Sequence, residues 1–182
     1  MTRPAARTVE QDAMAPVDLA AELARCHAAA HAWALACCRW DRDVAADVLQ
    51  ASYLKVVEGR ARFEAKASFR TWLFGVIRLT AAEHRRKAWM RRMLPLTWLD
   101  DRPEGHAGDD VPAALIRSEQ ASRLVEALER LPRRQREVLH LVFYQDLSIA
   151  AAAAVMTISV GSARTHYERG KQRLRTLLGS ER

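Results

Sequence analysis

The stretch "LSIAAAAAVMTISVGSARTHYERGKQRLR", residues 147–175, decides how this chain is read. It opens with five alanines, Ala150–Ala154, and closes with five Arg or Lys residues in the twelve positions 164–175. Ser148 is placed to cap a short helix "IAAAAAVM", and Ser159 to cap a longer one, "VGSARTHYERGKQRLRTLL". Between them Thr157 and Ile158 form a break. A short helix, a tight turn and a longer basic helix have the dimensions of a helix-turn-helix. Alanine carries no side-chain entropy and little bulk, so an Ala-rich helix lets its neighbour approach closely. On the second helix Val160, Ala163, Tyr167, Leu174 and Leu178 (or Leu177) mark an inner face. Ser162, Arg164, Thr165, Glu168, Arg169 and Lys171 mark an outer one. Arg can grip guanine bidentately, Glu can accept from cytosine, and Lys or Ser can hold phosphate. A solvated basic helix would show the same charges, and part of that charge complements the helix dipole.

Outward from this stretch, the chain reads as helix after helix. It has 182 residues, 49% of them hydrophobic, and only seven glycines, with no long alternating pattern. An all-α fold follows. "AALIRSEQASRLVEALER" (113–130) is helical. Pro132 then suits the first turn of "PRRQREVLHLVFYQ", whose inner residues are Val138, Leu139, Val142 and Phe143. Residues 95–112 hold three prolines, two glycines and five acids, the composition of a solvated linker. Upstream, residues 18–39 place Leu19, Leu23, Cys26, Ala30, Trp33 and Cys37 on one helical face. Residues 43–58 do the same with Val44, Val48, Leu49, Tyr53 (or Ser52), Val56 and Val57, and Gly59 suits the C-terminal cap. Ser68 sits where a cap belongs, ahead of "FRTWLFGVIRLTAAEHRRKAWMRRM", which Pro95 stops. The domains are therefore an N-terminal arm (1–17), a helical domain (18–94), an acidic linker (95–112) and a helix-turn-helix domain (113–182).

The net charge of +7 is uneven. "RRKAWMRR" (85–92) carries five positive charges and no acid, whereas "DDRPEGHAGDD" (100–110) carries five acids and one Arg. Basic blocks on helices fit a polyanionic partner. The three cysteines, Cys26, Cys37 and Cys38, form no spaced disulfide framework. His27 and His31 share a helix face, but Cys26 points about 100° away from His27. These thiols read as core residues at an Ala-rich seam, and no metal site is expected. The N-terminal residues lack the apolar core of a signal peptide, and "AAAHAWALACC" (28–38) is too short to span a bilayer. A cytoplasmic protein is expected. No phosphate-binding glycine loop, Gly-x-Ser-x-Gly or His-Glu-x-x-His is present, so no enzyme, cofactor or small-molecule substrate is expected.

Two blocks carry a family resemblance. In the first, Leu131, Pro132, Arg136, Val138, Leu139, Leu147, Ser148, Ala153, Ser159 and Gly161 fall on the pattern of the fourth conserved region of bacterial sigma factors, in the extracytoplasmic-function (ECF) group. Arg164 falls on that region's basic position and Thr165 on its Ser. In the second, Asp47, Gln50, Phe63, Ser68, Phe69, Thr71, Trp72, Leu73 and Arg78 resemble the second conserved region of the same group. The order of the blocks and the acidic linker between them match as well.

The resemblance implies a protein that binds core RNA polymerase and promoter DNA, with an anti-sigma factor, of a kind that can be membrane-bound, as inhibitory partner. It implies polymerase contacts at Asp47, Gln50, Tyr53 and Leu54, and minus-35 recognition by the outer face of the last helix. It puts a pocket for flipped minus-10 bases around Arg62, Phe63, Lys66 and Ser68. Further DNA contacts are expected at Leu79 and Glu83, with Arg70, Arg78, Arg85, Arg86 and Lys87 tracking phosphates. Trp72 and Leu73 are expected in the core. The alternative from another class is a self-standing dimeric helix-turn-helix regulator with a sensor domain.

The chain departs from the family in places. Ala150, Ala151 and Ala152 stand where acids and an isoleucine are usual, Thr157 where the turn usually has glycine, and Leu79 where Asn is frequent. The small side chain of Ala152 predicts a helix-turn-helix domain that packs weakly by itself and leans on a partner.

Overall fold

The computed structural model describes residues 18–93 and 119–179, with the backbone alone for 119–122. The expected arm (1–17), the Pro95 stop, the linker (95–112) and the start of the helix at 113 lie outside the described residues. Those described form seven α-helices and no strand. In chain order they are α1 (Leu19–Cys37), α2 (Arg42–Val57), α3 (Phe69–Met93), α4 (Glu119–Glu129), α5 (Arg133–Leu139), α6 (Ile149–Met156) and α7 (Val160–Gly179).

Polar caps set the starts. Asp18 Oδ1 accepts from the amides of Ala20 and Ala21, both at 3.1 Å. Asp41 Oδ1 accepts from Val44 at 2.9 Å, and Ser68 Oγ from Thr71 at 3.2 Å. Each satisfies an amide that the first turn leaves without a helical acceptor. Gly59, at φ 69°, follows α2 as the sequence predicts. The first three helices pack around Trp33, which is fully buried and donates from Nε1 to the Phe74 carbonyl at 2.9 Å. Leu73, Phe74 and Ile77 of α3 are equally buried. Val57 and Leu19 instead point outward, at 69% and 36% exposure. They sit at helix ends that overhang their neighbours, where periodicity gives no warning.

In the second unit Pro132 is not inside the first turn. It precedes α5 with φ −54° and ψ 138°, and its carbonyl accepts from the Arg136 amide at 3.1 Å. α5 then widens into a π-helical turn, His140–Tyr144. The wider turn shifts the inner face off the ordinary helical period. Leu141 and Gln145 are buried, Val142 only partly so, and Phe143 lies outside at 62% exposure. Val142 still packs against the core, whereas the expectation that Phe143 fills it is corrected.

The helix-turn-helix forms as the sequence requires. Ser148 Oγ accepts from Ala151 and Ser159 Oγ from Ser162, both at 3.1 Å. Thr157 adopts the left-handed conformation, φ 54° and ψ 50°, which costs a β-branched residue about 1–2 kcal/mol. α7 turns Ala163 and Gly170 fully inward, with Tyr167, Leu174 and Leu177 partly buried. Val160 and Leu178 are exposed. Gly170 is a close-approach position: a Cβ there would stand 3.1 Å from Leu139 Cδ1 and 3.2 Å from Gln135 Cβ.

The two units share one apolar core. α6 packs against α7 on one side and α3 on the other, and α1 touches α5. Ala152, Ala153, Val155 and Met156 are all at most 2% exposed. The small side chains of α6 let it pack directly against α3.

Candidate nucleic-acid interface

The loop before α3 and one face of that helix enclose an open cleft of about 330 Å³. Arg62, Phe63 and Lys66 line it from the loop, and Trp72, Gly75 and Leu79 from α3. Phe63, Phe69 and Trp72 form an aromatic trio with centroids 5.2–5.4 Å apart. Trp72 is therefore no pure core residue: it is half-buried and presents part of its ring to the cleft. Leu73, one position on, is the core residue expected. A base entering the cleft would meet π surface and two cations at the rim, with Arg62 and Lys66 exposed. Lys66 pairs with Glu64, which raises the amine and lowers the carboxyl, chiefly through their hydrogen bond. Ser68 caps α3 and shares a hydrogen bond with Thr71 at 2.8 Å.

The remaining expected contacts on α3 are unevenly placed. Arg86 and Leu79 are exposed. Glu83 faces α2, where its carboxylate accepts from Lys55 Nζ at 2.7 Å. Arg85 donates to the Cys37 carbonyl at 3.1 Å. Arg70 donates to the Gln145 carbonyl at 2.9 Å, and Arg78 is buried with its Nε 3.0 Å from Glu137 Oε2. The expectation that Arg70 and Arg78 lie on an open phosphate track is thus corrected. Both are consumed by the second unit, because α3 carries its basic face into the seam that α5 and α6 cover.

The outer face of α7 is open. Arg164, Thr165 and Arg169 are exposed, and neither arginine forms an ion pair among the described residues. Ser162 is exposed at the N-terminus, its amide held by Ser159. Glu168 and Lys171 pair with each other at 3.1 Å, and the Lys171 amine lies 4.6 Å from the Tyr167 ring centroid. On α2, Asp47, Gln50 and Leu54 are exposed at helical spacing along one face. Tyr53 is half-buried and its hydroxyl meets His27 Nδ1 at 3.2 Å. Burial raises this phenol's pKa.

The cysteines are free thiols. Burial pushes Cys37 far up and Cys38 to about 12, leaving little thiolate at neutral pH. Among the described residues no three His, Cys, Asp or Glu side chains gather as a metal site would need. No described helix is long and apolar enough to cross a membrane.

Sequence reasoning missed Glu137, His140 and Gln145, the polar residues of the seam. They lie within a segment whose pattern reads as an ordinary amphipathic helix, and only the packing of α5 on α1 and α3 gives them a role.

An all-α protein in which an aromatic cleft on α3 adjoins a packed helix-turn-helix has, by class, the architecture of a DNA-binding protein. Comparison with known proteins narrows this. Residues 23–91 match sigma-70 region 2, and residues 121–174 match sigma-70 region 4. The chain is 33% identical over 141 residues to the RNA polymerase sigma factor CarQ of Myxococcus xanthus, covering 75% of each protein. It is 33% identical over 134 residues to the ECF RNA polymerase sigma factor SigC of Mycobacterium tuberculosis (strain CDC 1551 / Oshkosh), covering 74% of this chain and 70% of that one. Its fold resembles the sigma factor RpoE solved in complex with the anti-sigma factor NepR from Bartonella quintana. The TM-score is 0.68 at 23% identity, over 91% of this chain and 99% of that one. It also resembles CnrH in complex with the cytosolic domain of CnrY, at a TM-score of 0.62 and 21% identity, over 90% and 89% of the two chains.

The chain belongs to the ECF group of RNA polymerase sigma factors. It is an alternative sigma factor, a promoter-specific initiation factor for core RNA polymerase.

Proposed function

We propose that the two surfaces divide promoter recognition between them. The domain spanning 18–94 takes the minus-10 element: its cleft receives flipped single-stranded bases against Phe63 and Trp72. Arg62, Lys66, Ser68 and Arg86 hold the backbone, and Glu83 stands at the rim of the same helix. Arg70 and Arg78 join this set only when the seam with the second unit opens. The domain spanning 113–182 takes the minus-35 element through Ser162, Arg164, Thr165, Glu168, Arg169 and Lys171. Asp47, Gln50 and Leu54, with Tyr53 behind them, form the polymerase contact on α2. Residues 95–112 serve as an acidic linker across the polymerase surface and 1–17 as an arm.

The observation that carries this reading is the aromatic cleft at Phe63 and Trp72 with cations at its rim. A core-packing trio would be sealed, whereas this one opens to solvent. The protein acts by binding, without catalysis or cofactor, in the cytoplasm. Both solved structures described above contain an anti-sigma factor, which supports a partner of that kind here. Purified protein mixed with core polymerase should give promoter-dependent transcription. Direct binding to palindromic DNA without polymerase binding would sink the assignment of surfaces.

A further inference from the structure

The π-helical turn after α5 turns Phe143 out of the core, and its ring lands on α7. There it stacks on Tyr167, with centroids 5.7 Å apart and planes 26° from parallel. The Lys171 amine lies 4.6 Å from the centroid of the same Tyr167 ring and 3.1 Å from Glu168 Oε2. Phe143, Tyr167, Lys171 and Glu168 thus form one chain of contacts. It starts outside the helix-turn-helix and ends on the outer face of α7. Phe143 stays 62% exposed, so burial does not account for its place.

This chain changes what Lys171 and Glu168 can do. A lysine that holds phosphate extends into water, whereas the Lys171 side chain is only 27% exposed, its amine drawn onto a ring and a carboxylate. An exposed ion pair alone is too weak to fix two long side chains. The Tyr167 ring adds a cation–π attraction, and Phe143 holds that ring in place. Glu168 remains 60% exposed, and its Oε1 accepts no hydrogen bond among the described residues. A bare carboxylate on this face would repel the DNA backbone. Paired with Lys171, it keeps an acceptor oxygen while its charge is offset.

Major-groove chemistry then selects the base. Cytosine presents its N4 amino group as a donor. Guanine and thymine turn acceptors toward the same oxygen, and adenine sets its N7 acceptor beside the N6 donor. We propose that Glu168 reads a cytosine in the minus-35 element, and that Phe143 and Tyr167 are positioning residues that fix it through Lys171. The inference rests on reading the outer face of α7 as the minus-35 contact.

The test uses the full chain assembled with core polymerase and a promoter library randomised in the minus-35 element. Promoters retained by the assembly are sequenced. The parent should favour cytosine at one position by about tenfold. Glu168→Gln should move the preference at that position to adenine, which a glutamine amide grips at N6 and N7. Phe143 is largely exposed, so Phe143→Leu leaves the fold intact. It should lower the cytosine preference by about threefold, the size of an exposed cation–π contact. Lys171→Gln should do the same from the other end, and Phe143→Tyr, which keeps a ring, should retain the parent preference. Preferences at the other positions should stay as in the parent, which a general loss of structure would not allow. A minus-35 profile without a favoured cytosine, or a cytosine preference that survives Glu168→Gln, overturns the base assignment. A preference that survives both Phe143→Leu and Lys171→Gln overturns the positioning role. A flat minus-35 profile in the parent overturns the reading of α7 itself.

Discussion

α3 and α7 are the two basic helices of this molecule, and they spend their charge differently. α7 packs through Ala163, Gly170 and Tyr167 and leaves Arg164 and Arg169 in solvent. α3 packs on two sides, and Arg70, Arg78 and Arg85 each bind an oxygen of the protein itself. A basic stripe is a phosphate track only where nothing else in the fold supplies the anion. The difference lies in the neighbours: α7 covers α5 and α6 with one face, whereas α3 is wedged between the first unit and α6.

The comparison breaks first at Arg78. Replacing it with Ala leaves buried Glu137 without its hydrogen-bond donor and with only the half-exposed Arg133 as counter-charge, and losing one member of a buried pair costs about 3–5 kcal/mol. Chemical denaturation should show a loss of that order, and a loss below about 1 kcal/mol would mean the pair is not buried in solution. Arg164→Ala tests the other helix. It should leave stability unchanged and weaken minus-35 binding by about 1–3 kcal/mol, read from promoter-dependent transcription and DNA affinity. Equal loss on all DNA sequences would place Arg164 on phosphate instead of a base. Phe63→Ala should cost single-strand binding about 1–3 kcal/mol of stacking while duplex minus-35 binding stays the same.

The seam should also respond to pH. Desolvation among Trp33, Trp40, Tyr144 and Gln145 holds the His140 imidazole down to about 4, against an ordinary value of 6.5. The unfolded chain therefore binds a proton that the folded chain refuses. The stability that the buried imidazole contributes is complete above pH 6.5 and is lost as pH falls toward 4. Chemical denaturation at pH 7.5 and pH 5 should show lower stability at the lower value, and His140→Gln should remove most of that response. The smallest effect belongs to the turn before α7: Thr157→Gly relieves a left-handed threonine and should stabilise the protein by about 1 kcal/mol in a melting experiment.

Much of this was legible beforehand, for physical reasons. Caps announce themselves because few side chains can accept from free amides, so Ser148, Ser159 and Ser68 marked helix starts correctly. The helical faces of α1 and α3 followed from a period that holds along a regular helix. The π turn at His140–Tyr144 broke that period, which is why Phe143 was misplaced. The residues around the cleft were legible through their family pattern, whereas Trp72 was read as core because a side chain half in and half out looks apolar in either case.

The sequence by itself determined the helices, the helix-turn-helix and the family, since local caps, period and motif spacing need no distant partner. Tertiary structure alone decided which charges remain available. Arg78 and Arg164 look alike in a sequence. One faces Glu137, 59 residues away along the chain, and the other faces water, and nothing local encodes that meeting. The alanine run belongs to the same lesson: its small side chains suggested weak packing, and the fold uses them to bring α6 against α3.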